Sequence, residues 1–237
     1  MILETESLAK RYRRRWALRD CTLAVPEGAI VGLVGPNGAG KTTLLHLIVG
    51  LLAPTAGTVR VLGGAPDRAL QAGRVGFVAQ NAPTYPNLTV ADHLDLGKWL
   101  NPRRWDTTAA RERVDRLGLP ARQRAGRLSG GQRAQLALTL ALSKHPDLLV
   151  LDEPVASLDP LARRAFLDET VAAATATGTA TLLSTHLVAD LAHTGTHVVV
   201  VTGGRIRLAA TTAALGTTPA ELERAILDQL GQSEELA

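Results

Sequence analysis

A single cysteine, Cys21, stands in the 237 residues. It rules out an internal disulfide and offers no metal-ligand set, which suits a reducing compartment. Long apolar runs are missing as well. "LALTLAL" and "THVVVVT" have the length of core elements, short of the ~20 residues that cross a bilayer. The start, "MILETESLAK", carries acids where a signal peptide needs positive charge and an apolar core. These absences predict a cytosolic protein, found at a membrane only where a partner holds it. A large charge of one sign is also lacking: 26 basic against 22 acidic residues leave +4. That excess is too small to argue for nucleic acid, which favours a concentrated basic face. The one basic cluster, Lys10–Arg15 ("KRYRRR"), reads as a solvated edge of a strand or turn.

The length suffices to bury a substantial core, as one domain or one domain with a lobe. Residues 1–34 read as short strands, "ILETESLAKRY", "CTLAV" and "AIVGLV". A helix follows and should stop near Gly50, with further strands at "GTVRVLG" and "RVGFVAQ". From Asn81 to Lys144 helical patterning dominates, as in "LTVADHLDLGKWL" and "AARERVDRLGL". Strands return as "DLLVLDEP", "ATLLSTH" and "HVVVVTGGRIRLAA", around the helix "PLARRAFLDETVAAAT". Strand–helix alternation predicts a parallel α/β sheet, here interrupted by a helical insertion. In the tail, Thr218 is placed to cap a last helix and Pro219 to open it.

The chemistry gathers in three stretches. "GPNGAGKTT", Gly35–Thr43, lies between a strand and a helix and matches G-x-x-x-x-G-K-[ST] through Gly35, Gly40, Lys41 and Thr42. Glycines let a backbone wrap a phosphate without Cβ clashes, and helix-start N–H groups favour the anion. Lys41 would lie across the β- and γ-phosphates, and the Thr42 hydroxyl would ligate Mg²⁺. In "DLLVLDEP", Asp152 and Glu153 emerge from an apolar strand. Asp152 fits the carboxylate of the Mg²⁺ shell, and Glu153 sits where it can polarise an attacking water. In "LSGGQR", Ser129, Gly130, Gly131 and Gln132 open an apolar helix and offer a second anion site.

In that order and company, the chain resembles the nucleotide-binding subunit of an ATP-binding-cassette (ABC) transporter over residues 1 to about 210. "GPNGAGKTT" is its P-loop, "LLVLDEP" its Walker B strand and "LSGGQ" its signature sequence. The resemblance implies an α/β P-loop NTPase (RecA-like) core with an N-terminal antiparallel β subdomain and an inserted α-helical subdomain. The core would be residues 1–80 and 145–210, the helical subdomain about 81–144, and the helical tail 211–237. It implies ATP and Mg²⁺ as ligands, held by the whole loop Gly35, Pro36, Asn37, Gly38, Ala39, Gly40, Lys41, Thr42 and Thr43. By the same resemblance Gln80 contacts Mg²⁺ and senses the transport partner, Asp159 belongs to the D-loop ("SLDP"), and His186 is the switch histidine. Tyr12 fits the aromatic that stacks on adenine, with Trp16 close enough to compete. His46, His93, His145, His193 and His197 lack such context. The D-loop reads "VASLDP" where "TSGLDP" is common, with Asp159 in place.

The mechanism implied is a head-to-tail dimer of cassettes, alike or different. Each ATP is held between one P-loop and the other subunit's Ser129–Gln132, and closure moves a separate membrane permease. The chain would then sit at the cytoplasmic face of a membrane. Two other readings compete: a soluble ABC ATPase in translation or DNA repair, and a silent cassette used for binding. The loop spelling and short tail resemble exporters of drugs, antibiotics or lipids. Within the helical segment, Tyr85 and Trp105 are expected near the permease groove, with Trp105 on an exposed loop. Trp99 is expected in the lobe's core.

Overall fold

The computed structural model describes residues 1–156, 158–190, 195–216 and 218–231. Two strands open the chain, β1 (Leu3–Tyr12) and β2 (Arg15–Val25), followed by β3 (Ile30–Val34), α1 (Lys41–Ile48) and β4 (Ala56–Val61). β2, β1 and β4 form a three-stranded antiparallel sheet. The basic cluster makes the tip of the β1–β2 hairpin, with Arg13 in the left-handed region at φ 52°. β2 starts at Arg15, well ahead of "CTLAV", because cross-strand pairing with β1 carries the ladder out to the hairpin turn.

A short helix that periodicity does not reveal, α2 (Pro66–Gln71), leads to β5 (Val75–Val78). Helices α3 (Val90–Leu100), α4 (Thr107–Arg116) and α5 (Gly130–Leu142) follow, then β6 (Leu148–Asp152), α6 (Pro160–Thr177), β7 (Ala180–Thr185), β8 (His197–Thr202) and β9 (Arg205–Thr211). The second sheet runs β5-β6-β7-β3-β8-β9, parallel except for β9 at its edge. Every residue of β3, β6 and β7 is buried. Such strands read as near-continuous apolar runs because layers cover both faces of the sheet. On one face, α1 and the first sheet pack Leu44, Leu47, Leu3 and Leu23 around Leu33, Val150 and Leu182. On the other, Leu138 of α5 and Phe166 of α6 pack on Leu149, Leu151 and Leu183.

The tail contains α7 (Thr212–Leu215) and α8 (Pro219–Gly231). Thr218 Oγ1 accepts from the Glu221 N–H at 3.3 Å, and a Glu221 carboxylate oxygen accepts from the Thr218 N–H at 3.0 Å, which is a capping box. Leu222 and Ile226 pack on Val198 and Val200, so this helix covers the sheet. Residues 232–237 of the expected tail, His193 and Ser157 of the D-loop lie outside the described residues.

Between β5 and β6 the helical lobe has its own core, built from Val90 and Leu94 of α3, Ala110 and Val114 of α4, and Leu136 of α5. α5 is apolar on several sides because Leu136 faces this lobe while Ala134, Leu138 and Ala141 face the sheet. The two tryptophans exchange their expected places. Trp99 is 77% exposed, and Trp105 packs against the lobe core. The reason is Gly97, on the inward face of α3: a Cβ there would come within 2.4 Å of the Trp105 ring, which occupies that space. Arg113, buried on α4, ties the lobe to the main sheet layer by donating to Glu169 of α6 at 2.7 Å.

Candidate functional site

The C-terminal ends of β3, β6 and β7 lie side by side, with Val34 in register with Thr185 and Asp152 in register with Ser184. Open parallel sheets place their ligand sites at this edge. β3 passes into the loop Gly35–Gly40, and α1 starts at Lys41. Two glycines are dictated by close approach. A Cβ on Gly35 would fall 2.0 Å from the Val201 carbonyl oxygen, and one on Gly40 would fall 2.7 Å from that of Ala17. Gly40 also needs its left-handed φ of 106° to turn the chain into α1.

A cleft of about 1010 Å³ opens over this loop. Of the predicted site residues, Tyr12, Asn37, Gly38, Gly40, Lys41, Thr42, Thr43, Gln80 and Glu153 line it. Lys41, 4% exposed, donates from Nζ to the Gly35 and Pro36 carbonyls at 2.6 and 3.3 Å. The same ammonium faces Glu153 Oε1 at 3.2 Å. The other carboxylate oxygen of Glu153 lies 3.4 Å from His186 Nδ1, so one carboxylate bridges a lysine and a histidine. Asp152 is buried at the end of β6, behind Glu153.

At the hairpin end of the cleft two aromatics are present, as the sequence left open. Tyr12 is 46% exposed, with the Lys10 ammonium 5.5 Å from its ring centre. Trp16 also lines the cleft, but its ring is engaged by the Arg11 and Arg19 guanidinia at 5.2 and 5.7 Å. A base would have to compete with two guanidinia on Trp16 but with one ammonium on Tyr12, which also keeps open surface.

Besides Ala17 and Arg19, the lining or supporting residues not singled out in the sequence include Gly203, Gly204 and Ser184. Gly203 and Gly204 turn the chain between β8 and β9 and line the cleft. Gly204 N–H donates to the Ala39 carbonyl at 3.1 Å and its carbonyl accepts from Arg19 N–H at 2.7 Å, which fastens the loop to β2. Ser184, fully buried, bonds both Asp152 and Glu153. A polar residue within the apolar strand "ATLLST" was the available signal.

Ten predicted residues do not line the cleft: Gly35, Pro36 and Ala39 of the loop itself, Asp152 and His186, which adjoin Glu153, and Ser129, Gly130, Gly131, Gln132 and Asp159 at the starts of α5 and α6. Ser129 Oγ accepts from Gln132 N–H at 3.2 Å and Gln132 Oε1 accepts from Ser129 N–H at 2.9 Å, a capping box on α5. Asp159 caps α6, accepting from the N–H groups of Leu161 and Ala162. His93, read without a role, is buried in the lobe, where it accepts from Tyr85 N–H at 3.1 Å and contacts the Thr89 carbonyl at 2.7 Å.

Among the described residues no three His, Cys, Asp or Glu side chains gather as a metal set. A hard cation at this edge would instead take oxygen from Thr42, Asp152 and a bound polyphosphate, a donor set that fits Mg²⁺.

The ABC transporter family profile matches residues 18–156. A sulfate/thiosulfate import ATP-binding protein of Chromobacterium violaceum is 38% identical over 92% of this chain and 61% of its own length. A Nod factor export ATP-binding protein of Cupriavidus pinatubonensis is 36% identical over 86% of this chain and 64% of its own length. The chain therefore spans less than two thirds of either relative. Among solved structures, an ATP-binding cassette captured as a dimer with ADP and Pi superposes with a TM-score of 0.79. It covers 88% of this chain and 98% of that one at 23% identity, a likeness of fold. The α/β P-loop architecture expected from the sequence is the architecture observed.

Proposed function

The chain belongs to the ABC transporter family of ATPases, and on that premise we propose that it is the ATP-binding and ATP-hydrolysing subunit powering a separate membrane permease. One observation carries the reading: Lys41, Glu153 and Tyr12 line one cleft, and Glu153 bridges Lys41 and His186. In the proposal, adenine stacks on Tyr12. The triphosphate lies in the loop Gly35–Thr43, where the start of α1 supplies N–H groups and a favourable dipole. Lys41 then exchanges Glu153 for the β- and γ-phosphates. Glu153, freed, orients and polarises the attacking water. His186, beside it, contacts the γ-phosphate. Thr42, Asp152 and Gln80 would hold Mg²⁺, which when bound neutralises charge on the phosphates.

Ser129–Gln132 and Asp159 lie off the cleft of their own chain, which supports a head-to-tail arrangement in which a second cassette supplies them. The α5 N-terminus would meet the γ-phosphate from the opposite side. The lobe beside Gln80 and Tyr85 is proposed to receive a helix of the permease, which would hold the chain at the cytoplasmic face of the membrane. No helix among the described residues is long and apolar enough to cross one. The exporter resemblance finds no support: among relatives named by direction, import predominates. The proposal therefore extends to transport without direction or cargo. Mg²⁺-dependent ATPase activity of the purified chain tests the chemistry, and co-purification in detergent with a polytopic membrane protein tests the partner. ATPase activity with no membrane partner would favour a soluble ABC role, and no activity would leave a binding module.

A further inference from the structure

We propose that Ser184 is a positioning residue for hydrolysis, its hydroxyl setting the Asp152 carboxylate and the Glu153 backbone in one fixed geometry. The proposal rests on the nucleotide-site reading above. Ser184 occupies the penultimate place in β7, in register with Asp152, and is 0% exposed. A serine hydroxyl has one proton and two lone pairs. Here the proton is donated to Asp152 Oδ1 at 2.8 Å, and a lone pair accepts the Glu153 N–H at 2.8 Å. One buried oxygen thus touches both acids of the site.

Glu153 has φ 43°, the left-handed region that a glutamate rarely adopts. That turn directs its side chain back between Lys41 and His186. It also leaves the Glu153 N–H outside the strand ladder, where Ser184 Oγ receives it. Backbone in a disfavoured region persists when its surroundings over-determine it, and this hydrogen bond is one of the contacts on Glu153, beside those to Lys41 and His186. On the other side, the bond fixes Asp152 Oδ1 and so holds the carboxylate in one orientation. Groups that orient a metal-associated carboxylate commonly matter about 10–100-fold in metal affinity or activity.

The test uses the full chain and the variants Ser184→Ala and Ser184→Thr. We expect Ser184→Ala to lower kcat about 10–100-fold. ATP affinity in EDTA should stay at the wild-type value, while the strengthening of ATP binding by added Mg²⁺ should shrink. Ser184→Thr, which keeps the hydroxyl on a β-branched side chain suited to a strand, should recover kcat and the Mg²⁺ effect. Wild-type kcat and Mg²⁺ response in Ser184→Ala overturn the proposal. So does a Ser184→Thr variant as impaired as Ser184→Ala while melting like wild type. Should Ser184→Ala not fold, Ser184→Cys, near-isosteric but a weak donor, replaces it with the same expectations. A wild-type chain without Mg·ATP turnover overturns the functional reading itself and this proposal with it, which separates the two failures.

Discussion

Replacing Glu153 by glutamine keeps the shape of the side chain and removes its charge and basicity. At 3.2 Å from Lys41, with an effective dielectric of ~20, the attraction lost is about 5 kcal/mol. Desolvation of both ions offsets most of that in the intact pair, but removing one partner strands the other charge, at about 3–5 kcal/mol. Lys41 keeps two acceptors, the Gly35 and Pro36 carbonyls. We therefore expect a net loss of about 2 kcal/mol, or about 4–8 °C in Tm for a chain of this size. With ATP in EDTA, phosphate oxygens replace Glu153 as partners of Lys41, so the gap in Tm should close. Under turnover conditions kcat should fall about 10²–10⁴-fold, the usual worth of a general base. Thermal melts with and without ATP, beside a steady-state phosphate-release assay, read both effects. Wild-type turnover in Glu153→Gln would move the catalytic role elsewhere. An unchanged Tm without nucleotide would show that the lysine–glutamate pair does not hold the resting site.

Other outcomes follow from the same geometry. Tyr12→Ala should weaken ATP about 5- to 150-fold in equilibrium binding, the range that base stacking of ~1–3 kcal/mol implies, and Trp16→Ala should weaken it less. The reverse ranking would transfer the adenine contact to Trp16. Gly97→Ala should destabilise by about 1–3 kcal/mol in denaturant unfolding, because its Cβ collides with Trp105, while Trp99→Ala, on the solvent face, should change stability by less than about 0.5 kcal/mol. Hydrogen bonds and charge from Arg74, with Arg104 nearby, hold Asp147 below the ordinary carboxylate pKa. A lowered folded-state pKa contributes stability above the unfolded value of about 4, and that contribution is lost as pH falls through the folded value. Asp147→Asn should thus be less stable than wild type near neutrality, and the difference should vanish in acid when both are unfolded by urea.

What the sequence determined by itself was local. The glycine loop, the apolar strand ending in Asp152 and Glu153, and the caps at Ser129 and Thr218 each lie within a few consecutive residues. Backbone turns, strand burial and helix ends depend on just such short spans, so their residue types announce them. Alternating strands and helices also implied the parallel sheet, since a parallel pair requires a crossover. Tertiary structure decided whatever depended on a distant partner. Ser184 acquires its role from Asp152 and Glu153, 32 and 31 residues away, through the register of β7 on β6. Gly203 and Gly204 reach the cleft because β8 lies beside β3. Trp99 and Trp105 take places opposite to those helical spacing predicts, because spacing shows which residues share a face but not what fills a gap in it. Gly97 left that gap, and a ring from the following loop occupied it. Short-range patterns set the elements, and close packing between elements assigned each side chain its neighbours.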